Sequence, residues 1–209
     1  MFKLSFQNIA IVMFCIYLIG ALGHLVDSLR PLFLYLTPYN LVLTTVVFLV
    51  LNTITKKDLI TLCIIFLIGF FIEVIGVKTG LLFGSYEYGA SLGFKWLEVP
   101  LVIGLNWVLL NLAGHGIANR FIKKSILKSI FASISVVLLD TLIEPIAIQI
   151  DYWSWENNII PLQNYLMWFV VSFVIQLIIN TSRIKIDFQS SALIFLLQIL
   201  FFSILNLAL

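Results

Sequence analysis

Apolar residues run in long unbroken blocks, and the short stretches between them hold most of the charge. Seven blocks stand out, at about residues 6–26, 39–53, 59–77, 97–117, 127–150, 162–180 and 190–209. A helix needs roughly 20 residues to cross a hydrocarbon core about 30 Å thick, and these blocks are close to that length. They are continuously apolar instead of alternating, which predicts helices that satisfy their own backbone groups in lipid, not barrel strands. The second block is short and can borrow residues 32–36. The first is too long for a secretory h-region and has no small-residue cleavage site, so it reads as a retained span. The pattern predicts an all-α polytopic membrane bundle of about seven transmembrane helices, a single domain over residues 1–209. No linker, low-complexity tail or pair of matching broken helices divides it.

Composition strengthens this picture. Hydrophobic residues make up 62% of the chain and charged ones 11%, with a mean hydropathy of +1.13. That leaves too little polar surface for a water-facing body. A net charge of +2 is too small and dispersed for a nucleic-acid footprint or a polybasic lipid clamp. Cys15 and Cys63 lie in apolar runs without CxxC spacing, so they read as small core hydrophobes, and no metal site is expected.

The cations set the orientation. With the N-terminus inside, Lys3, Lys56, Lys57, Arg120, Lys123, Lys124, Lys128, Arg183 and Lys185 face the cytoplasm, against Arg30, Lys78 and Lys95 outside. The expected protein sits in the inner (cytoplasmic) membrane as a multi-pass protein, with its N-terminus in and its C-terminus out.

Aromatic belts normally mark both interfaces, but here they crowd one. Trp96, Trp153, Trp155 and Trp168 fall at or near the outer face with Tyr35, Tyr39, Tyr86, Tyr88, Tyr152 and Tyr165, while Trp107 lies near mid-membrane and Tyr17 deeper in the first span. Ionisable and polar residues share the bias. Glu73 lies about a turn from the outer end of the third span, and Asp140 and Glu144 in the middle-to-outer part of the fifth. Asn106 is near the midplane of the fourth, His24 and Asp27 end the first, Glu98 opens the fourth and Asn164 opens the sixth. An intramembrane carboxyl costs several kcal/mol on insertion scales, so its default reading is functional. Three at one level indicate a single pocket; the competing reading pairs them with Lys78, Lys95 or His24 to hold helices together.

Asp140 and Glu144 are four residues apart, hence neighbours on one helical face. Two carboxyls that close in a poorly solvated site do not both ionise cheaply, so one should persist as a carboxylic acid near neutral pH. Pro145 predicts a kink or helix end just beyond. Residues 73–89 form the least apolar outer segment, where Gly76, Gly80 and Gly84 recur every four residues. That spacing fits close helix packing or a glycine-bent cap that folds Phe83, Tyr86 and Tyr88 over the cavity mouth. In the second case Tyr152, Trp153 and Trp155 close it from the other side.

Taken in order, Glu73-x-x-Gly76-x-x-Thr79-Gly80-x-x-Phe83-Gly84-x-Tyr86-x-Tyr88, Leu92-Gly93, Val99-Pro100, Asn106-Trp107, Asp140-x-x-x-Glu144-Pro145, Tyr152-Trp153-x-Trp155 and Pro161-x-x-Asn164-x-x-x-Trp168 resemble the membrane-bound carotenoid hydratases of the CruF type. The likeness covers roughly residues 70–170. Proline is common in that family where this chain has Leu82, and glycine where it has Glu98. The resemblance implies a carotenoid biosynthesis enzyme, a hydro-lyase that adds water to the terminal isopropylidene double bond (the 1,2- or 1′,2′-position) of an acyclic or monocyclic carotenoid. The isoprenoid substrate would enter from the lipid phase, without a cofactor; membrane lipids and other carotenoid-pathway enzymes are the further partners implied.

Roles follow from the chemistry, not from the family. Hydrating an unactivated alkene takes an acid, a cation-tolerant pocket and one positioned water. Asp140 is the expected proton donor, tuned by Glu144. Trp107, Trp153 and Tyr86 offer aromatic faces to the cation, and Glu73 and Asn106 hold the water. Phe83, Tyr88, Trp155, Asn164 and Trp168 complete the substrate site. Two alternatives use the same features. A proton-coupled transporter of a small molecule should carry polar residues on into the inner half-spans, which offer mainly Thr44, Thr45 and Gln176. A non-catalytic carotenoid-binding subunit would need no Asp140 beside Glu144. A retinal protein is excluded, because its Schiff base needs an intramembrane lysine and the last span has none.

Overall fold

The computed structural model describes residues 5–182 and 184–209; Lys3 and Arg183, two of the cations used above to set orientation, lie outside the described residues. Seven helices, each long and apolar enough to cross a membrane, account for most of it. They are α1 (Phe6–Leu25), α2 (Arg30–Leu51), α3 (Lys56–Thr79), α4 (Leu101–Phe121), α5 (Ser125–Gln149), α6 (Leu162–Ser182) and α7 (Phe188–Ala208). Four short strands accompany them: β1 (Tyr86–Tyr88), β2 (Lys95–Trp96), β3 (Val99–Pro100) and β4 (Trp153–Trp155).

α4 is the axis of the bundle and packs against α2, α3, α5, α6 and α7. Its middle, from Trp107 to Gly116, is buried without a break. The outer helices keep apolar side chains outside as well: Ile11, Ile60, Leu138 and Leu196 are each more than half exposed, as a lipid-facing surface requires. Cys15 and Cys63 share that surface, so they are exposed helix-face residues and not core ones.

Two helix starts differ from the hydropathy pattern. α2 begins at Arg30, not residue 39, because Pro31 fits the first helical turn, where its missing N–H is no loss. α4 begins at Leu101, not residue 97. Residues 95–100 instead form a tight hairpin in which Lys95 pairs with Pro100 and Trp96 with Val99. Its two turn residues, Leu97 and Glu98, have φ of 53° and 72°, so Glu98 sits in a turn and does not open the fourth span. The shift also places Asn106 in the second turn of α4, not at its midplane. α5 continues four residues past Pro145 to Gln149.

The connections α1–α2, α3–α4 and α5–α6 lie at one end, the cap end. Those joining α2 to α3, α4 to α5 and α6 to α7 lie at the other, with Lys56, Lys57, Lys123, Lys124 and Lys185. At the cap end β1 and β4 pair antiparallel, Tyr86 with Trp155 and Tyr88 with Trp153. The α3–α4 and α5–α6 connections are thereby joined into one lid.

Candidate functional site

The lid follows from the strand period. In an antiparallel pair, residues two apart and their partners share a face, so Tyr86, Tyr88, Trp153 and Trp155 all point one way. That way is down, onto two carboxyls. Glu87 and Ser154 take the opposite face, where Ser154 Oγ donates to Glu87 Oε1 at 3.5 Å. The turn that brings β1 over α3 depends on glycine at Gly84. Its φ is 107°, and a Cβ there would lie 2.6 Å from Pro161 Cγ. Of the two readings of the glycine spacing, the bent cap is the observed one.

Glu73 is bound from three sides. Tyr86 and Tyr88 donate their hydroxyls to Oε2 at 2.5 and 2.8 Å, and Trp107 Nε1 donates to Oε1 at 3.0 Å. Burial, followed by the adjacent Glu73, pushes both phenols well above the ordinary tyrosine range, which keeps them donors. Glu144, beneath β4, is bound in the same way. Trp153 and Trp155 donate indole N–H groups to Oε2 at 2.9 and 2.8 Å, and Asn164 Nδ2 donates to Oε1 at 2.7 Å. The same Asn164 amide reaches Asp140 Oδ2 at 3.3 Å, so it links the two carboxyls of α5. Asp140 Oδ1, though buried, has no partner.

No cation among the described residues pairs with these acids. Among the described residues the one ion pair joins Arg30 to Asp27 at 3.1 Å. Lys95, a candidate counter-charge, donates instead to the Tyr88 carbonyl. Glu73 and Glu144 face three donors each and no acceptor, which fits an ionised carboxylate, an acceptor-only group.

Two cavities meet here. The larger, about 400 Å³, lies among α1, α2, α4, α5 and α7 and is lined mostly by apolar side chains together with Asp140, Asn106, Trp153 and Trp168. The exposed Leu36, Tyr39 and Leu43 of α2 line it too, which carries it to the apolar outer surface. Among the described residues, three of the four buried side-chain atoms without a partner, on His24, Asn40 and Asp140, belong to its walls. The smaller, about 20 Å³, lies under the lid between Glu73, Glu144, Asn106 and Asn164. It has room for one water molecule with polar neighbours. Asn106, Trp153 and Trp168 line both.

The twelve residues assigned to the site from the sequence thus lie together, whereas Glu98 and Asp27 lie outside the cluster. Phe83 packs edge-on to Tyr86 with centroids 6.0 Å apart, and Trp168 stacks on Trp107 at 4.2 Å. The α1–α2 wall of the larger cavity holds His24, which the sequence already places at the end of the first span, together with Thr37 and Asn40, which it does not single out; a polar residue inside an apolar block was the available signal. The inner half-spans are also more polar than the pattern of the sequence suggests. Asn111, His115, Ser129, Ser133 and Ser172 are buried there beside Gln176, so sparse inner polarity does not separate a transporter from an enzyme. Three of them are linked: His115 Nδ1 meets Gln176 Oε1 at 3.1 Å, Gln176 Nε2 donates to the Asn111 carbonyl at 2.7 Å, and Asn111 Nδ2 to the Trp107 carbonyl at 3.0 Å; Ser133 Oγ donates to the Ser129 carbonyl, and Ser172 Oγ has no partner among the described residues.

Residues 35–209 match the model of a protein family described as carotenoid biosynthesis protein. A curated relative, the bisanhydrobacterioruberin hydratase of Haloarcula japonica, is 30% identical over 122 residues, covering 52% of this chain and 40% of that protein. The chain therefore spans about two fifths of that relative's length. No solved structure matches it.

Proposed function

The chain belongs to the carotenoid biosynthesis protein family, and from that premise we propose that it is a membrane hydratase that adds water across the terminal isopropylidene C=C of an acyclic or monocyclic carotenoid. The observation that carries this reading is the difference among three carboxyls tied into one cluster. Glu73 and Glu144 have their oxygens committed to donors. Asp140 alone has a free buried oxygen, and it lines the large apolar cavity.

The reaction starts with the polyene end in that cavity. Asp140 transfers its proton to the less substituted alkene carbon, leaving a tertiary cation and an aspartate. Trp153 and Trp168, which line the cavity, face the cation with π surfaces, and the ionised Glu73 and Glu144 lower its energy from behind. Their lone pairs are occupied by N–H and O–H groups, so they are poor nucleophiles and do not trap the cation as an ester. A water in the small space beside Asn106 attacks the cation and its released proton returns to Asp140. One water is consumed, no electron changes hands, and the acid is regenerated. The site lies toward one end of the bundle, which suits a long polyene whose body remains in lipid. On the charge bias, that end faces outward from the inner membrane.

Expressing the chain in cells that accumulate acyclic carotenoids should yield a product heavier by one water. Asp140→Asn should lower its formation by about 10²–10⁴, the usual worth of a positioned general acid. A cyclised product of unchanged mass, or an undiminished rate in folded Asp140→Asn, would overturn the assignment.

A further inference from the structure

At the end opposite the lid, a separate cavity of about 400 Å³ opens among the ends of α4, α5 and α6 and the start of α7's leading segment. Five of its eight lining residues are polar: His115, Asn119, Lys128, Asn180 and Lys185; the other three are isoleucines. Two are ammonium groups, and no carboxyl is among the described lining residues. Neither lysine has an acidic partner within 4 Å among the described residues. Lys128 is held in place, its Nζ donating to Asn119 Oδ1 at 2.7 Å, which leaves two further protons to offer. Asn180 is held likewise, with its Nδ2 donating to Ser129 Oγ at 2.8 Å. His115, only 5% exposed, forms the floor and is held by Gln176.

We propose that this cavity binds a phosphate group, presented by the headgroup of an anionic lipid. Two unneutralised cations on neighbouring elements, with amides between them, match the charge and the donor needs of a phosphate. The three isoleucines give the same cavity an apolar side, which a free ion does not use and an acyl chain does. The cavity also lies where headgroups are, at one end of a membrane-spanning bundle, and basic pockets between helices are a recurrent solution for such lipids. It shares no lining residue with either cavity at the cap end. Its floor is nevertheless joined to them through the chain His115, Gln176, Asn111 and Trp107, whose indole binds Glu73. An occupied headgroup site therefore braces the α4–α6 pairing that aims Trp107.

The test uses the full chain purified in dodecyl maltoside. Dioleoylphosphatidylglycerol, dioleoylphosphatidylcholine and inorganic phosphate are titrated separately, with bound lipid counted by native mass spectrometry and thermal midpoints followed in parallel. Phosphatidylglycerol should be retained and raise the midpoint, and phosphatidylcholine should do neither. Lys128→Gln with Lys185→Gln should weaken phosphatidylglycerol binding by about thirtyfold, whereas Lys56→Gln with Lys57→Gln, at the same end but outside the cavity, should leave it within about twofold. Inorganic phosphate matching phosphatidylglycerol would keep the phosphate site and assign it to the free ion. Equal response to both lipids, or equal loss in both double variants, would reduce the effect to surface charge and overturn the site.

Discussion

Asp140 and Glu144 are one helical turn apart, yet the same acid-to-amide change should cost very different amounts of stability at the two positions. In Glu144→Gln, the Oε2 position faces two indole N–H groups, which have no lone pair to offer a donor. The new amide oxygen must therefore take that place, and the NH₂ then opposes Asn164 Nδ2 at a spacing of 2.7 Å. Relief requires Asn164 to turn over, which sacrifices its bond to Asp140. One buried donor left unsatisfied costs about 1–3 kcal/mol, and replacing a carboxylate by a neutral oxygen weakens the two indole bonds by about 1 kcal/mol more. In Asp140→Asn, the amide oxygen keeps the single bond from Asn164, and the NH₂ takes the place of an oxygen that already lacks a partner in the native chain, so no bond is lost, the desolvation cost is largely present beforehand, and the difference stays near or below about 1 kcal/mol. For a chain of this size 1 kcal/mol moves the midpoint by about 2–4 °C. Thermal unfolding of the purified variants in detergent, followed by tryptophan fluorescence, should show Glu144→Gln falling by about 5–15 °C and Asp140→Asn by less than about 4 °C. Equal falls, or an unchanged midpoint for Glu144→Gln, would refute the donor count on which the site is built.

Other outcomes follow from the backbone and the lid. Glu98→Gly should raise stability by about 1 kcal/mol in the same unfolding assay, because the turn holds position 98 at a φ of 72° that glycine adopts freely. Gly84→Ala should lower it by at least about 2 kcal/mol, from the left-handed φ plus the contact with Pro161, and acrylamide should then quench the lid tryptophans more strongly. Tyr152, buried and pushed up to about 12, should ionise above the ordinary tyrosine range in a titration at 295 nm. Its folded value lies above its unfolded one, so its contribution to stability is complete below pH about 10 and is lost as the pH rises toward about 12; a Tyr152→Phe variant should lose that share of the alkaline sensitivity, while Tyr86 and Tyr88 keep theirs.

The bundle was legible because hydropathy reports burial in lipid directly, and continuous blocks leave little room for another fold. Helix ends were less so. Residues 97–100 adjoin the apolar run of the helix that follows with Glu98 as the one charge among them, and only the pairing of Trp96 with Val99 and the turn at Leu97 and Glu98 mark residues 95–100 as a hairpin. The preference for glycine at position 98 in the family the motifs resemble was the visible trace of that turn. The acid cluster was legible because charge inside an apolar block is costly and therefore conspicuous. Which oxygen carries which partner was not, since it depends on β1 pairing with β4 across more than sixty residues of sequence. The α1–α2 wall was only partly legible for a related reason: Thr37 and Asn40 are uncharged and scattered, and converge with His24 only when the two helices face one cavity.

The order in which the partners occur along the chain has a consequence for biogenesis. Glu73 is synthesised before Tyr86, Tyr88 and Trp107, and Glu144 before Trp153, Trp155 and Asn164. Each acid thus leaves the ribosome ahead of every group that will bind it, and α3 must enter the bilayer with an unsolvated carboxyl that nothing yet accommodates. A nascent chain stalled before residue 164 carries both acids without a complete set of donors, and its survival depends on whatever insertion machinery shelters them. Translation pauses placed on either side of that residue should therefore separate doomed intermediates from viable ones.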